Sequence, residues 1–104
     1  MSKYSIVIPT YGRNDFLDGC FESIEKQTLI PKEVFIIDNN KNHEYRESVK
    51  DIVKKFSSDR IKFTYHKGLI NSGAVARNHG ASLVNTELVA FLDDDVILDV
   101  DYYE

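Results

Sequence analysis

The stretch LVAFLDDDV, residues 88–96, runs five apolar residues directly into three carboxylates. An uninterrupted apolar run is typical of a strand covered on both faces, as in a parallel sheet flanked by helices. The acids then lie at the carboxyl end of the strand, where open α/β sheets bind ligands. Since residues alternate faces along a strand, Asp93 and Asp95 are expected to point the same way and to share one divalent cation. An acidic triplet by itself is also typical of a solvated turn. The neighbouring loops must therefore show whether the triplet forms a cation site or a solvated turn.

The composition is that of one globular domain. The chain has 104 residues, of which 42% are apolar, and this is enough to bury a core. Its formal net charge is −4 with acids and bases interspersed, which does not favour a nucleic-acid partner. The single cysteine, Cys20, excludes an internal disulfide and a cysteine-based zinc site. The sequence shows neither a signal peptide nor a membrane-spanning segment, so we expect a cytoplasmic protein.

Hydrophobic periodicity predicts four strands that alternate with three helices. The strands are at residues 4–9, 33–38, 61–65 and 88–92, and the helices are at residues 15–24, 45–56 and 74–84. The third helix is rich in small residues, so we expect it to pack unusually close to its neighbours, with Gly80 tolerated for that reason. The β-α-β-α-β-α-β order predicts the α/β class, a Rossmann-like three-layer α/β/α arrangement with a mostly parallel sheet.

The carboxyl ends of the four strands bring four loops to one edge of this sheet. The loops are residues 9–13, 38–42, 66–73 and 93–95. Tyr11 offers an aromatic face to a base, and Asp38 can accept hydrogen bonds from a ring N–H or a ribose hydroxyl. Arg77, one turn into its helix, can reach a base or a phosphate. Together with a cation on Asp93 and Asp95, these groups outline a site for a nucleotide diphosphate and its metal.

Five ordered motifs resemble those of family 2 glycosyltransferases, which have the glycosyltransferase A fold. They are SIVIPTY at residues 5–11, SI with QT and PKE at 23–24, 27–28 and 31–33, IID at 36–38, NSG with ARN at 71–73 and 76–78, and FLDDD at 91–95. The resemblance extends from the start of the chain to about residue 96. It implies that residues 1–104 form the first half of that fold, a nucleotide-diphospho-sugar-binding domain without the acceptor-binding half.

The resemblance also implies roles for individual residues. The loop at residues 9–11 and Asp38 would hold the base, usually uracil, and residues 73–78 would shape the same pocket. The acidic triplet matches the family's DXD motif, so Asp93 would contact the ribose or the metal shell and Asp95 would bind Mn²⁺ or Mg²⁺ against the diphosphate. The substrate-binding set implied in this way is Pro9, Thr10, Tyr11, Arg13, Asp38, Asn71, Gly73, Arg77, Asn78, Asp93 and Asp94. Asn39 and Asn40 replace the second acid often found after Asp38, which leaves the choice of nucleotide open.

The activity implied by the resemblance is sugar transfer. A nucleotide-diphosphate sugar, usually a UDP-sugar, would donate its sugar to a hydroxyl of a saccharide or lipid-linked acceptor by metal-assisted inverting displacement, as in polysaccharide biosynthesis. No residue of this chain matches the family's catalytic base, so we expect donor binding without efficient transfer. For the full-length protein, we expect association with a membrane. Because family sheets continue beyond the strand at residues 88–92, we also expect a bare apolar edge and a homo-oligomer formed through it.

Two other functions fit an acidic group at a strand end. A phosphatase or phosphotransferase of the haloacid dehalogenase type also carries Asp-x-Asp after an apolar strand, but there the motif follows the first core strand, whereas here it follows the fourth. A receiver-like regulatory module also uses an acidic metal pocket, but it needs a lysine at a later strand end, which this chain lacks. Trapping of a phosphoryl group on Asp93 would separate the phosphatase from the glycosyltransferase.

Overall fold

Strands and helices alternate along the chain, as the periodicity predicts. A computed structural model describes residues 4–11, 14–68 and 73–99, with the backbone only at residue 14 and residues 73–77. The elements are β1 (Tyr4–Thr10), α1 (Asn14–Glu25), β2 (Glu33–Asp38), α2 (His43–Phe56), β3 (Lys62–Lys67), α3 (Gly73–Leu83) and β4 (Leu88–Phe91). Over these described residues, no helix combines the length and hydropathy needed to cross a bilayer.

The four strands form one parallel sheet in the order β3-β2-β1-β4. The chain therefore steps outward from β1 to β3 and then returns through α3 to the opposite side of β1. Helices α1 and α2 pack on one face of the sheet, and α3 packs on the other. This confirms the predicted three-layer α/β class. Because the winding direction reverses between β1 and β4, a crevice opens at the carboxyl ends of these two strands.

The larger core lies between the sheet and the helices α1 and α2. Phe21 of α1 is fully buried, and its ring meets Phe56 of α2 edge-on at a centroid distance of 5.5 Å. It also meets Phe63 of β3 at 4.9 Å, so one side chain joins three elements. Burying such a ring contributes roughly 1.5–3 kcal/mol. A smaller core on the α3 face consists of Val7, Phe35 and Ile37 with Leu83 and Val84 packed against them.

The close approach predicted for α3 is confirmed at Gly80. A Cβ added there would lie 2.2 Å from Cγ1 of Val7, which is fully buried in β1. Only a residue without a side chain allows the helix to pack this close to the sheet. The smaller core therefore depends on Gly80 as much as on its apolar side chains.

Strand β1 continues through Pro9 to Thr10, one residue beyond its predicted end. Backbone groups of successive strand residues point to alternate neighbours. The carbonyl of Val7 accepts from Leu92 after β4, and the carbonyl of Thr10 accepts from Asn39 after β2. By this alternation the missing N–H of Pro9 falls on the β4 side, beyond the last β1–β4 pair, Val7 with Phe91. Proline is tolerated there because no ladder bond is lost.

The prediction that the strand at residues 88–92 is covered on both faces was wrong. β4 lies at the edge of the sheet, where Leu88 is 63% exposed and Val89 and Phe91 are exposed as well. Leu92, just after the strand, is buried. Within residues 4–11, 14–68 and 73–99, β4 pairs only with β1, so its other side is an apolar edge. Self-association through this edge stays a prediction.

Candidate functional site

The crevice between β1 and β4 is closed at its base by a hydrogen bond between their two ends. Thr10, the last residue of β1, donates its hydroxyl to Oδ2 of Asp94 at 2.8 Å, and both residues are buried. This bond ties the acidic turn to the sheet at the point where the strand order reverses. Asp94, a substrate-binding residue in the sequence analysis, thus directs a carboxylate oxygen inward to Thr10.

Asp93 and Asp95 lie on the outer side of the same turn. The exposed fractions alternate along the segment, with Leu92 and Asp94 buried and Asp93 and Asp95 exposed. Both outer acids are therefore accessible, and the expectation that they point the same way stays a prediction. The strand itself ends at Phe91, and a turn at residues 94–95 follows in place of further extended backbone. The triplet therefore combines one inward carboxylate with two that face outward.

The two outward acids fit a cation that takes only part of its shell from protein. Across the described ranges, no group of three or more His, Cys, Asp and Glu side chains is arranged to hold a metal by itself. Mg²⁺ commonly binds through one or two carboxylates and completes its shell with substrate phosphates and water. Asp93 and Asp95 thus suit a divalent ion that binds together with a diphosphate.

Cys20 of α1 lies next to this turn, and the negative charges of the turn affect the pKa of its thiol. Its Sγ is 3.9 Å from the carbonyl oxygen of Asp93. Burial, followed by the negative charges of Asp94 and Asp95, raises the pKa of the Cys20 thiol to about 12. The thiol is therefore protonated and unreactive at neutral pH, as expected for a small core residue.

Asp38 ends β2 and organises the loop that follows. It is fully buried, and its Oδ1 accepts from the backbone N–H of Asn40 at 3.0 Å and from Nδ2 of Asn40 at 2.7 Å. Its Oδ2 accepts from the hydroxyl of Tyr65 at 2.7 Å. Burial and then this hydrogen bond raise the pKa of Tyr65 above its ordinary value. Arg46 donates Nε–H to the carbonyl of Asn40 at 2.6 Å, which fixes the loop from the α2 side.

The sequence analysis gave no role in the site to three residues, namely Tyr65, Asn40 and Arg46. For Tyr65 the sequence offers only strand alternation, which assigns β3 residues to alternate faces without saying which strand lies beside them. The pairing of Asp38 with Lys67 sets Tyr65 two residues back on β3. For Asn40 and Arg46, the local sequence carries only a turn signal and a helix start.

The other predicted residues divide into three groups. Tyr11 follows Thr10 and is 51% exposed, so its side chain is accessible to solvent just after β1. Pro9 is partly buried within β1, Gly73 begins α3, and Asn78 is exposed on α3. Arg13, Asn71 and the side chain of Arg77 lie outside the described residues. The structure therefore brings Thr10, Tyr11, Asp38 and the acidic triplet to one edge.

Two histidines face each other between β3 and α3. The ring centroids of His66 and His79 are 6.4 Å apart, and Nε2 of His66 lies 3.0 Å from the hydroxyl of Thr64. That hydroxyl in turn contacts Oε2 of Glu33 at 3.4 Å. Burial, followed by His79, lowers the pKa of His66, and Glu33 opposes the shift. Neutral His66 is therefore the form that the α3 face favours.

Acidification is expected to destabilise this face. The folded-state pKa of His66 lies below the unfolded value of about 6.5. The contribution of neutral His66 to the free energy of unfolding is therefore complete above about pH 6.5 and is lost as the pH falls from there through the folded-state pKa. Thermal melts from pH 7.5 to pH 5 should show a falling melting temperature, and His66→Gln should reduce the slope. The matched control is His43→Gln at an exposed position of α2. Equal slopes in all three proteins would contradict this role.

Comparison with known proteins gives a consistent family. The sequence matches the family described as Glycosyl transferase family 2 over residues 5–104. It is 34% identical over 103 residues to validoxylamine A glucosyltransferase of Streptomyces hygroscopicus subsp. limoneus, covering 96% of this chain and 22% of that protein. It is 30% identical over 95 residues to GalNAc(5)-diNAcBac-PP-undecaprenol beta-1,3-glucosyltransferase of Campylobacter jejuni, covering 91% and 30%. The chain thus spans less than a third of the length of these two relatives.

Solved structures share the fold. The mannosyltransferase PcManGT of Pyrobaculum calidifontis, in complex with GDP-Man and Mn²⁺, aligns with a TM-score of 0.75 at 18% identity over 89% of this chain and 27% of that one. Residues 1–349 of TarS from S. aureus, in complex with UDP-GlcNAc, align with a TM-score of 0.71 at 26% identity over 89% and 26%. The family match covers almost the whole chain, and the sheet and crevice described above are those of a glycosyltransferase A fold. This chain therefore belongs to glycosyl transferase family 2.

Proposed function

We propose that this chain binds the nucleotide-diphosphate-sugar donor of a glycosyltransferase, and that the donor is a UDP-sugar. The observation that carries the proposal is the Thr10–Asp94 bond at 2.8 Å, which fixes the turn that carries the exposed Asp93 and Asp95. Tyr11, which directly follows Thr10, is exposed as well. Curated relatives named as glucosyltransferases and solved relatives in complex with nucleotide sugars support it. The nucleoside would lie near Tyr11 and the end of β2, and the diphosphate would face Asp93 and Asp95.

Asp93 and Asp95 would hold Mn²⁺ or Mg²⁺ in this site. The bound ion would supply Lewis-acid stabilisation of the negative charge that develops on the diphosphate leaving group. Asp94 contributes by positioning, because its bond to Thr10 fixes the turn on which both outer acids stand. Preorganised charge of this kind lowers the barrier because no reorganisation is needed when the reaction occurs.

The transfer step would be an inverting displacement by an acceptor hydroxyl. Such a step needs a base to take the proton of that hydroxyl. Within the described part of the chain, Asp38 accepts from Tyr65 and Asn40 and Asp94 accepts from Thr10. In this proposal Asp93 and Asp95 would hold the cation. We therefore expect donor binding without efficient transfer. The acceptor would be a saccharide or a lipid-linked saccharide, the class that the name of the Campylobacter relative describes.

Calorimetric titration tests this proposal directly. UDP is expected to bind the folded protein in the presence of Mn²⁺ and to bind much more weakly after chelation with EDTA. Inorganic pyrophosphate with Mn²⁺ serves as a control for the contribution of the diphosphate alone. Absence of UDP binding under both conditions, in a protein shown by circular dichroism to be folded, would refute the proposal.

A further inference from the structure

Gln27, a buried residue just beyond the end of α1, belongs to the QT motif and has no role in the site described so far. Its side chain is only 3% exposed, and Nε2 donates to the carbonyl oxygen of Ser23 at 3.2 Å. In a regular α-helix that carbonyl accepts from the backbone N–H four residues later. Here the backbone N–H of Gln27 donates to Ile24 at 3.2 Å instead. The carboxamide therefore replaces the missing backbone donor at the end of α1.

The same nitrogen also contacts a segment that lies 72 residues further along the chain. Nε2 of Gln27 donates to the carbonyl oxygen of Asp99 at 2.5 Å. A primary amide nitrogen carries two hydrogens, so one side chain can serve Ser23 and Asp99 together. The bond reaches the main chain of Asp99, and it is therefore independent of the side chain at that position. Gln27 thus joins α1 to the segment that follows the acidic turn.

The acidic turn is attached to the rest of the molecule on both sides. Leu92 before the turn and Leu98 after it are both 7% exposed, and both belong to the larger core. Between them, Thr10 holds Asp94 through the hydrogen bond at 2.8 Å. The bond from Gln27 adds a polar attachment directly after Leu98. The turn that carries the two outer acids is therefore held at its start, in its middle and at its end.

We propose that Gln27 is a positioning residue for the cation site, because its bond to the carbonyl of Asp99 fixes the end of the acidic turn. This inference rests on the proposed function and adds to it a residue that acts through the main chain. Asp95 and Asp99 are four residues apart, so a shift of the main chain at Asp99 would also displace the turn. Ordering a loose turn on binding costs conformational entropy, and a turn that is held beforehand avoids this cost.

The test measures the affinity of the full chain for UDP by calorimetric titration with Mn²⁺ and with EDTA, and compares the ratio of the two affinities between variants. Gln27→Met keeps the approximate length of the side chain and removes both N–H donors. Its ratio should fall about tenfold, the lower end of the loss expected when a group that orients metal ligands is removed. The affinity in EDTA should not change. A merely structural role at the end of α1 would lower the melting temperature and leave the ratio as it is in the wild type.

Two further variants serve as controls. Gln27→Lys restores N–H donors at a helix C-terminus, where a cation is favoured, and should recover most of the ratio. Val53→Ala removes buried atoms from the same larger core, on α2. It should lower the melting temperature by leaving a cavity, but its ratio should equal that of the wild type. If Gln27→Met does not fold by circular dichroism, Gln27→Glu replaces it with the same expected loss, since an ionised carboxylate has no hydrogen to donate.

The outcomes separate this inference from the proposed function. A wild-type ratio in the folded Gln27 variant, or an equal loss in Val53→Ala, would overturn the role of Gln27 while leaving donor binding intact. Binding of UDP by the wild type without any dependence on Mn²⁺ would overturn the cation site and this inference with it. Failure of the folded wild type to bind UDP at all would overturn the proposed function as a whole.

Discussion

Replacing Asp95 with asparagine is expected to abolish the Mn²⁺ dependence of UDP binding while leaving the fold intact. The side chain is exposed, so the free energy of unfolding should change little. A neutral carboxamide is a poor substitute for a carboxylate on a hard divalent cation. Because loss of an outer-shell partner alone typically costs 10–100-fold in metal affinity, loss of a direct ligand should weaken UDP binding with Mn²⁺ by about 100-fold. Calorimetric titration with and without EDTA measures the affinity for UDP and its dependence on Mn²⁺.

Asp99→Asn is the matched control for this variant. Asp99 is also exposed and lies four residues further along the chain, so its replacement makes the same charge change outside the triplet. Its affinity for UDP with Mn²⁺ should stay within about twofold of the wild type, since an exposed charge that is not a metal ligand interacts with the ion only weakly through water. If Asp95→Asn and Asp99→Asn bound UDP equally well, Asp95 would not be a metal ligand, and the turn would serve only as a solvated connection.

The order of elements was predictable because it is written in local periodicity. Apolar residues at helical spacing and β-branched runs report on the next few residues only, and all seven elements follow from them. The place of a strand within the sheet is not local information. The run at residues 88–92 has the same apolar pattern whether its faces are covered or exposed, so the prediction of a strand covered on both faces was wrong.

The site was predictable in its position but not in the direction of its side chains. Parallel strands bring their carboxyl ends to one edge, so the meeting of Thr10, Tyr11, Asp38 and the acidic triplet followed from the alternation of strands and helices. The inward turn of Asp94 depends on Thr10, which is 84 residues away in sequence. The hydrogen bond to Oδ2 of Asp38 comes from Tyr65, 27 residues away. Such partners become visible only once the strand order is known.

The contact between α3 and β1 connects the fold to this site. Helix α3 begins at Gly73, six residues after the end of β3 at Lys67, and it packs on β1 through Gly80. Any change that lifts α3 from the sheet would therefore also move the start of the helix, where Arg77 and Asn78 are predicted to bind the donor. Packing within the smaller core would thus set the position of the helix residues that are predicted to bind the donor.

Gly80→Ala is accordingly expected to lower the thermal stability of the protein. Alanine gains about 1 kcal/mol of helix propensity over glycine, so two effects compete. The new Cβ would lie 2.2 Å from Cγ1, 3.0 Å from Cγ2 and 3.2 Å from Cβ of Val7, so rotating that side chain does not remove the clash. Overpacking of a core typically costs about 1–3 kcal/mol, and the depth of this overlap favours the upper end. We therefore expect a net loss of about 2 kcal/mol, a fall in melting temperature of roughly 8–16 °C for a domain of this size.

A double-mutant cycle with Val7→Ala separates this clash from a general intolerance of change in α3. Val7→Ala alone should also destabilise, because it leaves a cavity in the smaller core. In the double variant the methyl group introduced by Gly80→Ala would occupy part of that cavity, so the combined loss should be smaller than the sum of the two single losses. Ser82→Ala, at an exposed position two residues along α3, should change stability by less than about 0.5 kcal/mol. Strict additivity of Gly80→Ala and Val7→Ala would show that the two residues do not set the distance between helix and sheet.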